Sequence, residues 1–194
     1  MNFILCLAQD KLILYLKQLG ITDWNQLTKY IQNLSYGRNT NRHDLTLVLT
    51  EQKGTCSSKH AFLKKVADLN GVENIKLYIG IYKMNPSNTP KMGNILSENE
   101  FDYELDYIPE AHCYLKINGV EYDFTHPFSD FEKLRYDILE EIEIEAEQVS
   151  EFKVKYHQDF LREWITKQNE IVDIVINFEA VWKLREQCIC NLSQ

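Results

Sequence analysis

Apolar residues recur at helical spacing from the start of the chain. Phe3, Leu7 and Leu14, with Ile4, Leu12, Leu16 and Leu19, form a broad stripe that predicts a helix over 3–19, stopped by Gly20. Thr22 occupies an N-cap position before a second helical stretch whose Trp24, Leu27, Ile31 and Leu34 repeat the spacing. SYGRNTNRHD, with Gly37 and several Asn and Asp residues, reads as a loop. The run Leu45 to Leu49 fits a strand or the end of a helix. Gly54-Thr55 breaks it, and Cys56 opens a strong helical pattern with Ala61, Phe62, Val66 and Leu69 on one side and Asn70-Gly71 at its end.

The period then changes to two. Ile75, Leu77, Ile79 and Ile81 alternate with Lys76, Tyr78 and Tyr82, as a buried strand requires. Residues 85–110 contain every proline except Pro127 and read as one long loop. AHCYLKI and VEYDFT alternate on either side of Asn118-Gly119, the pair favoured by a two-residue type I′ hairpin turn. Beyond Pro127, FSDFEKLRYDILEEI reads as helix, whereas EIEIEAEQV fits a strand by alternation and a helix by content. From Asp159 to Gln187 the positions Trp164, Ile171, Ile174, Phe178, Val181 and Leu184 predict one or two closing helices.

Length and composition narrow the class. A chain of 194 residues that is 44% hydrophobic can bury a sizeable core, and the expectation is a single domain over 1–194. A net charge of −8 opposes nucleic acid and anionic membrane surfaces, and Lys59, Lys64 and Lys65 spread around their helix without making a basic stripe. The opening segment has no basic n-region, and Gln9, Asp10 and Lys11 interrupt its apolar run, so neither a signal peptide nor a membrane span is expected. The five cysteines, at 6, 56, 113, 188 and 190, are odd in number and lack metal-ligand spacing. Reduced thiols and a cytoplasmic location follow as expectations.

The hairpin carries the candidate chemistry. With a two-residue loop at 118–119, residue 114 faces 123 and 112 faces 125, so His112, Tyr114, Asp123 and Thr125 share one face. His112 and Asp123 are then diagonal neighbours, with Cβ atoms about 7–8 Å apart. A carboxylate there orients an imidazole and favours its cationic form. Cys56, placed in the first turn of its helix, meets exposed N–H groups and the positive end of the helix dipole, which favour a thiolate. If hairpin and helix end meet, Cys56 is the nucleophile, His112 the base and Asp123 the orienting group.

GTCSSKHAFL at 54–63 followed by HCYLKINGVEYDFT at 112–125 resembles the core of the transglutaminase-like superfamily, in which a Cys opens a helix, a later His begins a strand and an Asp lies in the next strand. The resemblance spans about 36–126, with 1–35 and 127–194 as helical flanks. It implies an α+β, papain-like fold: N-terminal helices, the Cys56 helix against an antiparallel sheet, and a helical C-terminal extension. It also implies thiol acyl transfer on a peptide, protein or small amide or ester, released to water or an amine, with no metal or organic cofactor. Two features depart from the pattern. The Cys-to-His spacing of 56 residues is long, and the 85–110 loop must absorb it. Papain-like enzymes carry a Gln six residues before the Cys, where this chain has Thr50; Gln52 is the remaining candidate oxyanion donor.

Other residues compete for roles. Tyr36, Arg38, Asn39 and Asn41 line either a cleft or only a polar turn. His60 lies one helical turn from Cys56 and rivals His112 as base. Lys59 either lowers the thiol pKa or is simply solvated. Glu110 steers amines or solvates its strand. Cys113 points away from the His112 face by alternation, and it and the other three cysteines read as structural or as free thiols with no assigned role. The alternative to an enzyme is a binding module that keeps the fold with an unused triad.

Overall fold

Side-chain caps decide where the helices begin. The computed structural model describes residues 1–5, 10–96, 105–171 and 175–192; Cys6, Leu7 and Ile174 lie outside the described residues, as does the side chain of Ile171. Helix α1 (Lys11–Gln18) starts at Asp10, whose carboxylate accepts the Leu12 N–H at 2.8 Å. The apolar stripe over 3–19 therefore does not form one helix. Residues 3–5 are instead paired with 22–24, Leu5 donating to Thr22 O and Trp24 donating to Phe3 O. Helix α2 (Trp24–Asn33) is capped by Asp23, which accepts the Gln26 N–H at 3.0 Å, one residue later than the sequence reading placed the cap. Thr22 gives its own N–H to Gln26 Oε1.

The ambiguous Leu45–Leu49 run resolves into a short helix α3 (Leu47–Thr50). Helix α4 (Cys56–Leu69) follows and ends at Asn70, with Gly71 in the left-handed region at φ +68°. Strand β1 (Ile75–Met84) buries Ile75, Leu77, Ile79 and Ile81, and Tyr82 is buried as well. Strand β2 (Ile108–Ile117) and β3 (Val120–Tyr122) form a hairpin in which Ile117 pairs with Val120 and Leu115 with Tyr122. Asn118 and Gly119 both have positive φ, as a type I′ turn demands.

The helical reading after Pro127 is corrected. Only α5 (Glu132–Arg135) is helical there, and β4 (Ile138–Ile144) follows. Lys83 donates its N–H to Asp137 O, so β1 captures the chain at this point and the Ile/Glu alternation runs out as an edge strand with its glutamates exposed. The long helices α6 (Glu151–Ile171) and α7 (Phe178–Leu192) close the chain.

The described residues thus give an α+β chain with seven α-helices and a four-stranded antiparallel sheet of order β3-β2-β1-β4. None of the described helices is long and apolar enough to cross a membrane. The chain divides into two compact units. The first comprises Met1–Ile79, His112–Phe131 and Ile142–Ser150. Its interior is built from Trp24, Leu27 and Ile31 of α2 and Phe62, Leu63 and Val66 of α4, all buried. The second comprises Gly80–Ala111, Glu132–Glu141 and Glu151–Gln194, with its own core of Met84, Met92, Ile108, Leu161, Trp164, Val181 and Leu184.

Candidate active site

The site lies in the first unit and starts from a helix cap. Thr55 Oγ1 accepts the Ser58 N–H at 3.5 Å, and Ser58 Oγ accepts the Thr55 N–H at 3.0 Å, a reciprocal capping box. The box makes Cys56 the first residue of α4. Its thiol is reduced and buried, with Sγ 3.9 Å from Ser57 Oγ. Gly54 lets the preceding loop come this close: a Cβ there would sit 2.8 Å from Ser58 Oγ and 3.0 Å from Lys59 Cγ.

His112 and Asp123 come from the hairpin. His112 Nε2 lies 3.1 Å from Asp123 Oδ2, and the Thr125 N–H donates to Asp123 Oδ1 at 2.8 Å. The His112 ring also hydrogen-bonds the Cys56 thiol. Helix α4 and the hairpin therefore bring Cys56, His112 and Asp123 into one hydrogen-bonded chain. Burial by itself disfavours the imidazolium, but the charges of Asp123 and Cys56 and the hydrogen bonds to both outweigh it and hold the His112 pKa well above the usual value. Burial likewise works against the carboxylate of Asp123. His112 above all, with the charge of His60 and a hydrogen bond from Thr125, overcomes it and keeps Asp123 well below the usual range.

His60 is excluded as the base by its hydrogen bonds. Its Nε2 accepts the Phe124 N–H at 2.7 Å, and its Nδ1 lies 2.8 Å from the Cys56 carbonyl oxygen, which can only accept. Both ring nitrogens are used, and the ring is the neutral Nδ1–H tautomer. Burial, opposed by Asp123, lowers its pKa to about 4, in line with that state. His60 is a strut between α4 and the segment after β3.

Lys59 departs most from expectation. It is not solvated but fully enclosed, with Nζ donating to Leu34 O at 2.6 Å and Thr125 O at 2.7 Å. Nothing in the local pattern marks it, because both acceptors are backbone groups distant in sequence. The Cys113 thiol is buried and reaches Ser57 Oγ at 3.7 Å, the same serine that Cys56 touches.

The remaining candidates make contacts of their own. The Gln52 amide donates to Tyr30 Oη at 2.8 Å and to the Leu49 carbonyl, in a residue whose φ is +53°. Tyr36 is half-buried against His126, ring centroids 5.2 Å apart. Arg38 is exposed, and Asn41 accepts the His43 N–H at 3.0 Å within its own turn. Asn39 staples the loop by donating to the carbonyls of Leu47 and Lys53. In the second unit, Glu110 is neither solvated nor open to amines but buried in a two-pronged pair with Arg185, Nε–Oε2 and Nη2–Oε1 both 2.6 Å. Cys188 is buried, its thiol pushed up to about 11 by burial and the charge of Glu110, and Cys190 is exposed. Among the described residues no three His, Cys, Asp or Glu side chains gather as a metal would require. Comparison with protein-family models, with curated proteins and with solved structures gave no match to this chain.

Proposed function

We propose that the protein is a thiol acyl-transfer enzyme of the transglutaminase-like, papain-fold kind, acting on a peptide, protein or small amide or ester. The observation that carries the reading is the continuous contact Cys56–His112–Asp123, with the sulfur at the first residue of a capped helix. A thiolate is favoured there by the helix N-terminus and by an imidazolium whose charge Asp123 sustains. In the proposed cycle the Cys56 thiolate attacks the carbonyl carbon. Backbone N–H groups of the first turn of α4 face the developing oxyanion, and His112 passes a proton to the leaving amine or alcohol. His112 then takes a proton from water or an amine as that nucleophile attacks the thioester, freeing the acyl group and restoring Cys56. Asp123 fixes the ring and stabilises its cation throughout.

The test is acylation by p-nitrophenyl acetate at pH 7, read as nitrophenol release and as the mass of the Cys56 peptide. A single acetyl adduct on Cys56, absent from Cys56→Ala and slowed roughly 100-fold or more in His112→Ala, is the expected result. Equal acylation of wild type and Cys56→Ala would defeat the reading.

A further inference from the structure

Lysine is among the side chains least often buried, and it is buried only where paired. In this protein Lys59 is fully enclosed one helical turn from Cys56, and its direct partners are two neutral carbonyls. We propose that Lys59 is the positioning residue of this site: one ammonium ties the end of α2 and the segment carrying Asp123 to the helix carrying Cys56, and it holds a positive charge beside both the thiol and the carboxylate. The inference rests on the acyl-transfer reading.

The connectivity supports the mechanical half. Leu34 is the C-cap of α2, and Thr125 lies two residues beyond Asp123. Lys59 holds the carbonyl of Thr125, while the N–H of the same residue holds Asp123. A closed circuit results: Lys59 to Thr125, Thr125 to Asp123, Asp123 to His112, His112 to Cys56, and back along α4. Just past the two clamped carbonyls, Tyr36 and His126 pack their rings together, so the clamp also sets that aromatic pair.

The electrostatic half follows from linkage. A neutral donor would satisfy two carbonyls with less desolvation, so hydrogen bonding alone does not require a cation here. The ionisable groups that face Lys59 are Cys56 and His60 on its own helix and Asp123 beyond β3, while α2 offers only a carbonyl. Burial pulls the ammonium down to about 8, and the charges of Asp123 and Cys56 are what raise it from lower still. Coupling between sites is reciprocal. If thiolate and carboxylate stabilise the ammonium, the ammonium stabilises them equally.

Iodoacetamide alkylation of Cys56 in the full chain, followed by peptide mass from pH 5 to 9.5, tests this. Wild type is expected to react with a midpoint below the ~8.5 of an ordinary thiol. Lys59→Met is expected to raise that midpoint by about one unit, a tenfold smaller thiolate fraction at low pH, and Lys59→Arg to restore most of it. A folded Lys59→Met protein with the wild-type midpoint would overturn the proposal and leave the acyl-transfer reading standing. A wild-type midpoint near ~8.5 would remove both. If Lys59→Met does not fold, ¹³Cε-lysine NMR of wild type and Cys56→Ala decides instead. The Lys59 resonance should titrate near 8 in wild type and lower in the variant, and an unmoved midpoint overturns the proposal.

Discussion

Two histidines lie beside Cys56, with ring centroids 6.2 Å apart, and their neighbours give them opposite tasks. His60 spends its acceptor on a backbone N–H, so it stays neutral; His112 faces a carboxylate and a thiol, both of which favour a cation. The two substitutions should therefore separate. His112→Ala is expected to move the Cys56 alkylation midpoint toward ~8.5, leaving about 30-fold less thiolate at pH 7, with modest loss of stability. His60→Ala leaves the Phe124 N–H and the Cys56 carbonyl without this ring and should cost about 2–4 kcal/mol in urea unfolding. A His60→Ala protein as stable as wild type would show that the strut is not one. The signs of the pH dependence also differ. The stabilisation from Asp123 is present above its unfolded pKa of ~3.9 and lost as pH falls toward its depressed folded value. That from His112 is full below ~6.5 and lost as pH rises through its elevated folded value. Asp123→Asn should weaken both limbs at once, which a series of urea midpoints from pH 3 to 9 would show.

At the scale of elements, the site depends on how closely a loop can approach the start of α4. Gly54 donates to Ser35 O at 3.0 Å and accepts from Gly37, which holds residues 35–37 alongside the cap. Gly54→Ala would press on Ser58 Oγ and the Lys59 stem, so the Thr55–Ser58 box must yield. A cost of about 1–3 kcal/mol is expected, with slower Cys56 alkylation; unchanged urea midpoint and alkylation rate would mean that the cap relaxes without consequence. The same elements show what the sequence could reveal. The hairpin was legible because strict alternation and Asn118-Gly119 fix register locally: counting outward from the turn gives the observed pairs Ile117–Val120 and Leu115–Tyr122, and His112 lies 3.1 Å from Asp123, one residue past β3. The start of α4 was legible from Gly54-Thr55. The helix over 3–19 was misread because its stripe ignored Asp10, whose cap begins a new helix at Lys11. Residues 138–144 were partly misread because a strand at a sheet edge keeps its glutamates in water, and pairing with β1 outweighs their helix propensity.

At the scale of the whole molecule, each unit buries charge beside apolar core, and composition alone gave no sign of it. In the first unit Lys59, His60 and Lys64 are buried, and the side chains of His112 and Asp123 are only 13% and 7% exposed. In the second, Glu110 and Arg185 are partners 75 residues apart, with His157 4.0 Å from the same carboxylate and its Nε2 2.8 Å from Pro109 O. A pairing over that distance leaves no local pattern, so Glu110 read as a surface residue of its strand. Burial opposes the Glu110 carboxylate, yet Arg185 and His157 hold its pKa down to about 2. The stabilisation it gives is therefore present above ~4.3 and lost as pH falls from there toward that value. Removing one partner leaves a buried, uncompensated charge, whereas removing both leaves only a packing problem. Glu110→Gln is expected to cost about 3–5 kcal/mol, and Glu110→Met with Arg185→Met together to recover most of that loss. Arg185 also packs against Trp182, 5.1 Å from the ring centroid, so the methionine must fill that contact too. Urea midpoints of the single and double variants decide the matter. A double variant no better than the single would mean that the ion pair itself, rather than the avoidance of a lone buried charge, holds this core.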